Sequence, residues 1–212
     1  MFLAILCVAI AAPTFAGEYQ TGGDSILRTT KYGRNQLAIT KILAAFTLFV
    51  VTFLVGITVH ILILDAAFKT DCLKTSFQML YSIINLLNIN LGQLQIILAA
   101  AGLISVLATV SCTLLLSAKC KDILTVLLIS IVVLLMPLFA YVAMGATWLS
   151  TILPSGGIGM QNNFLYQLAN FNYLNIGGMS FWTPHVILIS AGIELFMFTF
   201  LAIHSYCRHQ VA

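Results

Sequence analysis

Apolar residues fall in five long runs along this chain, and polar residues gather between them. The runs cover about residues 1–16, 42–64, 93–117, 123–147 and 184–206. All but the first reach the ~20 residues that a tilted helix needs to cross a hydrocarbon core. The first measures roughly 24 Å at 1.5 Å per residue, and it starts at Met1-Phe2-Leu3 with no polar lead-in. The pattern predicts an all-α fold: a polytopic bundle of membrane helices forming a single transmembrane domain over residues 1–212.

The connections carry the remaining information. Residues 17–41 form a polar island that holds six of the chain's fifteen charged residues: Glu18, Asp24, Arg28, Lys31, Arg34 and Lys41. Thr21-x-x-Asp24 resembles a capping box. Asp24 would then sit in the first turn of a short helix of about 22–32, Arg28 and Lys31 in its last turn, and Gly33 at its end, as the helix dipole favours. Asn35 is placed to cap the next helix, which enters the bilayer near Ile42. Residues 65–92 show Phe77, Leu80, Ile84 and Leu87 at helical spacing, which predicts an amphipathic helix on the membrane surface. Residues 148–183 are rich in aromatics and asparagines, from Trp148 to Trp182, as suits a membrane interface. Pro154-Ser155-Gly156-Gly157 and Gly177-Gly178 break that segment into pieces, predicting short half-inserted helices before the last span.

Composition fixes the solvent. The chain is 61% hydrophobic and 7% charged, with a mean hydropathy of +1.06, whereas soluble domains carry about 25% charged residues. The net charge of +3 sits beside the spans, not along an extended face, so no nucleic-acid partner is expected. Charge also sets orientation. With 17–41 in the cytoplasm, the inner connections hold Arg28, Lys31, Arg34, Lys41, Lys119, Lys121 and Arg208, and the outer ones only Lys69 and Lys74. That bias puts the C-terminus in the cytoplasm of a plasma-membrane protein. The first run resembles a signal peptide but lacks a basic lead, and cleavage near Ala16 would leave the island outside. Its outside start predicts a further span upstream of Met1.

Chemistry-bearing residues are few. There is no Walker A motif and no G-x-S-x-G. Ser155-Gly156-Gly157 is similar to part of an ATPase signature loop, but it lies in an outer connection and the rest of that motif is absent. Cys7, Cys72, Cys112, Cys120 and Cys207 have no zinc-like spacing and read as small apolar filler. His60 and Asp65 fall on the outer side and His204 and His209 on the inner, so neither a metal site nor a disulfide is expected. Pro137 interrupts the fourth run and predicts a kink. Glu194 stands near the middle of the last span, where a carboxylate is costly. It reads either as a pathway or gating residue, or as a structural hydrogen-bonding group toward a neighbouring helix or a second copy.

The order of these features resembles the permeases of type-2 ABC exporters. In that class the connection after the second span runs E-x-x-x-G, a Leu-rich stretch, a small-residue turn, a basic residue and a Lys entering the third span. Here those positions are Glu18, Gly22, Leu27, Thr29-Thr30, Arg34 and Lys41. Asn90-Leu91-Gly92-Gln93 opening a span, Leu116-Ser117-Ala118-Lys119 closing it, a long outer segment and a short basic tail are similar too. The class has six spans and this chain shows five. The resemblance implies a half-transporter that pairs with a second permease copy in the lipid bilayer. A separate ATPase subunit would drive it and would bind the ATP and Mg, leaving this chain without cofactor or catalytic residue. Glu18, Gly22, Asp24, Arg28, Lys31 and Arg34 would form the coupling element, and the cargo would be an amphipathic substrate, drug or peptide. The alternative is a membrane-embedded immunity protein or enzyme that acts without ATP through Glu194.

Overall fold

The computed structural model describes residues 2–23, 35–68, 70–80, 87–144, 147–158 and 163–208. The chain forms α1 (Phe2–Ala11), α2 (Pro13–Thr21), α3 (Asn35–Phe68), a 3-10 turn (Thr70–Lys74) and α4 (Phe77–Leu80). It continues as α5 (Leu91–Lys119), α6 (Ile123–Met144), α7 (Thr147–Ile152), α8 (Asn163–Ala169), β1 (Tyr173–Ile176), β2 (Met179–Trp182) and α9 (Thr183–Arg208). Among the described residues, five helical units are long and apolar enough to cross a membrane: the α1–α2 pair, α3, α5, α6 and α9. At 1.5 Å per residue α3 is about 51 Å long, well beyond a ~30 Å hydrocarbon core, so it tilts or projects.

The central helix is α5. It is built from small residues, among them Ala99, Ala100, Ala101, Gly102, Ser105, Ala108, Ser117 and Ala118, which let other backbones approach closely. It packs against α1, α2, α3, α6 and, most extensively, α9. Ala4, Cys7, Val8, Phe15, Phe49, Val110, Leu114 and Tyr206 form much of the main core around it. Several buried hydroxyls of α5 fold back on their own helix: Thr109 donates to the Ser105 carbonyl (2.7 Å), Ser111 to Ala108 (2.7 Å) and Thr113 to Thr109 (3.0 Å). Polar positions can therefore face protein without leaving hydroxyl protons unmade.

The first unit is broken, and its repair comes from another helix. Pro13 has no N–H for the Ala9 carbonyl, so the ladder that runs through Ala12 N–H to Val8 is interrupted there, and the first N–H groups of α2 need another acceptor. Ser117 Oγ fills the gap. It accepts from the N–H groups of Phe15 and Ala16, each at 3.0 Å, and donates to the Ala12 carbonyl at 2.7 Å. A helix break in lipid has no water to satisfy it, and a neighbouring serine does so instead.

A second break is met in the same way. Pro137 lies inside α6 and removes the donor to the Val133 carbonyl. Ser155 Oγ sits there, 2.9 Å from the Leu134 carbonyl and 3.4 Å from that of Val133. Ser155 belongs to the turn after α7, and Pro154, Ser155 and Gly156 are all buried. Leu134 is near the midpoint of α6, and so is Ser105 in α5, which Gly157 touches. The segment therefore dips to about mid-bundle. Irregular backbone at that depth needs protein on all sides, and α5, α6 and α9 supply it.

The end of the bundle holding the starts of α5 and α9 adds two features to the sequence reading. Of the amphipathic surface helix expected within 65–92, Phe77–Leu80 is helical and residues 81–86 lie outside the described residues. Phe77 begins α4 and is buried at 1% exposure, packed with Leu94, Phe164, Leu168 and Ile187, and Leu87 joins the same cluster. The chain folds back on itself: Phe77 N–H donates to Ile89, and Leu91 N–H to Thr75. Side chains that looked membrane-facing find their apolar cover within the bundle. The all-α expectation also misses a β-hairpin, β1–β2, with Tyr173 opposite Trp182 and Ile176 opposite Met179. Its two turn residues, Gly177 (φ 59°) and Gly178 (φ 86°), both have the positive φ that a type I′ turn demands.

Candidate functional site at the basic end of the bundle

The helix expected to end near residue 16 continues as α2 to Thr21, where Gly22 closes it with a left-handed cap (φ 71°). The next helix begins at Asn35, the residue expected to cap it. Glu18 and Lys41, read as parts of a hydrated island, are thus both helical and face each other. They form an ion pair with each side chain only 21% exposed. The Lys41 ammonium also lies 5.6 Å from the Phe15 ring centroid. Glu18 Oε2 is buried with no partner among the described residues.

Further contacts hold the end of α2 to the rest of the bundle. Tyr19 donates its hydroxyl to the Ala118 carbonyl (3.2 Å), at the close of α5. Gln20 Nε2 donates to Asp122 Oδ1 (2.7 Å) in the α5–α6 connection. Asp122 is also the N-cap of α6: its Oδ2 accepts from the Thr125 hydroxyl (2.8 Å) and the Thr125 N–H (3.1 Å). These bonds, the Thr125 hydroxyl first, hold its carboxyl below the usual carboxylate value. Tyr206 of α9 completes the collar, 4.9 Å from the Phe15 ring and 6.4 Å from that of Tyr19. Cys207 Sγ donates to Asn35 Oδ1 (2.7 Å), joining the last turn of α9 to the first turn of α3.

The capping box proposed at Thr21-x-x-Asp24 falls partly outside the described residues, which include Thr21 but not Asp24. Thr21 ends a helix, and its hydroxyl donates back to the carbonyls of Gly17 (3.0 Å) and Glu18 (3.3 Å). Asp24, Arg28, Lys31 and Arg34, with most of the short helix expected at 22–32, lie outside the described residues. Of the six expected coupling residues, the structure thus describes Glu18 and Gly22.

Glu194 is on α9, remote from this collar. Its Oε2 is buried and has no partner among the described residues. It lies within electrostatic reach of Cys112 on α5. Two further buried hydroxyls, Ser105 Oγ on α5 and Ser130 Oγ on α6, are also unpartnered among the described residues. No group of three or more His, Cys, Asp or Glu able to hold a metal occurs among the described residues.

Sequence reasoning missed Asp122 and Ser117. Asp122-x-x-Thr125 before an apolar run was a legible cap signal. Ser117 carries no local signal, because its partners lie about a hundred residues away.

No protein-family model, curated protein or solved structure matches the chain.

Proposed function

We propose that the chain is the permease subunit of a type-2 ABC exporter, a multi-pass plasma-membrane protein with a cytoplasmic C-terminus. In this reading it pairs with a second permease copy and moves an amphipathic substrate, drug or peptide outward. A separate ATPase binds ATP and Mg and supplies the energy. The observation that carries the reading is the collar. Residues 22–34 leave from α2 and return into α3, and those two helices are joined to each other by Glu18 and Lys41. They are joined to α5, α6 and α9 by Tyr19, Gln20, Asp122 and Tyr206. A force applied to the intervening segment reaches five helices through side chains already in contact. That is what a coupling element needs, and the order of motifs from Glu18 to Lys41 points to the same class.

The test is association with the ATPase. Exposed ion pairs contribute only about 0–1 kcal/mol each, so Arg28→Glu or Lys31→Glu should weaken capture by degrees. Asp24→Lys, Arg28→Glu and Lys31→Glu together should nearly abolish it through like-charge contacts. Membrane yield should hold, because Arg34, Lys41, Lys119, Lys121 and Arg208 remain. A triple variant that inserts normally and still captures the ATPase at wild-type level would remove the main support for a permease.

A further inference from the structure

The basic end of the bundle has a feature that the collar does not use. An open pocket of about 380 Å³ lies between the last turns of α5 and α9, lined by Lys119, Leu201, His204, Ser205 and Arg208. Among the described residues no carboxylate lines it. Lys119 and Arg208 form no ion pair among the described residues, since Glu18 is engaged by Lys41 and Asp122 by Thr125 and Gln20. Lysine and arginine near helix C-termini favour the helix dipole, but that accounts for each one singly. It does not explain two cations, a hydroxyl and an imidazole converging on one cavity.

What leads into the pocket is apolar. Ile193, Met197 and Leu201 follow one another at four-residue spacing on α9, at 62%, 46% and 38% exposure, and the stripe reaches His204 and Arg208. Phe200, 69% exposed, stacks on the His204 ring at 6.4 Å. From Ile193 to Arg208 is roughly 22 Å at 1.5 Å per residue. One leaflet with its headgroups is about half of 40–45 Å. An apolar track of one leaflet's length, ending in cations with no ion-pair partner among the described residues, matches a phospholipid better than a free anion.

We propose that this pocket binds the phosphate headgroup of an anionic phospholipid, with an acyl chain lying along the Ile193–Met197–Leu201 stripe. Basic pockets between spans on the cytoplasmic side suit such headgroups. The site requires only that this end of the bundle lies at a membrane interface.

Native mass spectrometry of the detergent-purified chain, titrated with phosphatidylglycerol, phosphatidylcholine or inorganic phosphate, tests it. Phosphatidylglycerol should bind selectively, and millimolar inorganic phosphate should not displace it. Lys119→Gln with Arg208→Gln should weaken phosphatidylglycerol binding by roughly 30-fold, on the scale of two interfacial charges. Lys119→Arg with Arg208→Lys, which keeps both charges, should retain it and covers the case in which the neutral variant fails to fold. Lys121→Gln, at the same end but outside the pocket, should also retain it. Equal binding of phosphatidylcholine, displacement by inorganic phosphate, or an equal loss in Lys121→Gln would each overturn the site. So would efficient cross-linking of Leu201→Cys between two copies, because a second protein would then cover the stripe.

Discussion

Replacing Ser117 by alanine removes the group that repairs the α1–α2 break. Three hydrogen bonds are lost: from Phe15 N–H, from Ala16 N–H and to the Ala12 carbonyl. Net values of ~0.5–1.5 kcal/mol per bond give about 1.5–4.5 kcal/mol. Interhelical bonds within membranes average ~0.6 kcal/mol, which gives about 1.8 kcal/mol for three. Part of the loss is recovered if Ala16 N–H closes onto the Ala12 carbonyl, so about 2 kcal/mol is expected. Reversible unfolding in mixed micelles measures it, as a shift of the denaturant midpoint at constant slope. The decisive variant is Pro13→Ala. With an N–H at position 13 and no ring in the way, the helix can run through, and the serine loses its purpose. The double variant should therefore cost less than the sum of the two single ones, by about 1–2 kcal/mol. A Ser117→Ala loss under about 0.5 kcal/mol, or strict additivity with Pro13→Ala, would refute the repair, since even one such bond is worth about that much.

Three other outcomes follow from the structure. A Cβ on Gly157 would lie 2.1 Å from Ser105 Oγ and 3.1 Å from Ser105 Cβ, so Gly157→Ala should cost about 1–3 kcal/mol of unfolding free energy, partly restored by Ser105→Gly. Wild-type stability for Gly157→Ala would mean that the dipping turn does not rest on α5. Asp122 has a folded-state pKa below its ordinary 3.8, so its contribution is complete above that value and disappears as pH falls through the lower folded one. Melting curves of wild type and Asp122→Asn should converge below pH 3.8; a constant gap there would show that the charge is not what caps α6. Glu194→Leu should give at least wild-type folded yield, since a central carboxylate is costly, and Glu194→Gln should fold as well; a yield that drops only for leucine would show that a partner group bonds to the carboxyl.

The long runs were legible because length and apolarity alone identify a span. Where helices end was not, because polar side chains near the ends have partners in the tertiary structure. Glu18, Tyr19 and Gln20 looked like the start of a hydrated connection, yet Glu18 and Tyr19 reach other helices and Gln20 the residue that caps α6, so α2 persists to Thr21. The hairpin was in principle readable. Gly177-Gly178 between two four-residue runs is a hairpin signal as well as a break. The fate of Phe77 and Leu87 was not readable, since helical spacing does not say whether lipid or protein covers an apolar face. Glu194 was legible as costly, but its surroundings depend on which face of α9 meets α5.

Two prolines and two serines give the bundle its internal logic. A proline break in a soluble helix exposes a carbonyl to water at little cost. In a membrane the backbone groups opened at such a break cost several kcal/mol unless something bonds to them. This chain opens two helices, at Pro13 and at Pro137, and each time a serine from a distant element arrives, Ser117 from α5 and Ser155 from the turn after α7. The two repairs share one helix. Ser117 lies on the last turn of α5, and Ser105, against which Gly157 packs, lies near its middle. A shift of α2 relative to α5 must stretch the first repair, and a shift of α5 relative to the dipping turn must disturb the second. Hydroxyl contacts of this kind are specific in place but individually weak, so either joint can open without unfolding the helices it connects. A bundle that had only to be stable would do better with alanine at Pro13 and Pro137 and no serines to match. Keeping both breaks, with their repairs tied to one central helix, suits a protein in which movement at the basic end has to be felt at mid-depth.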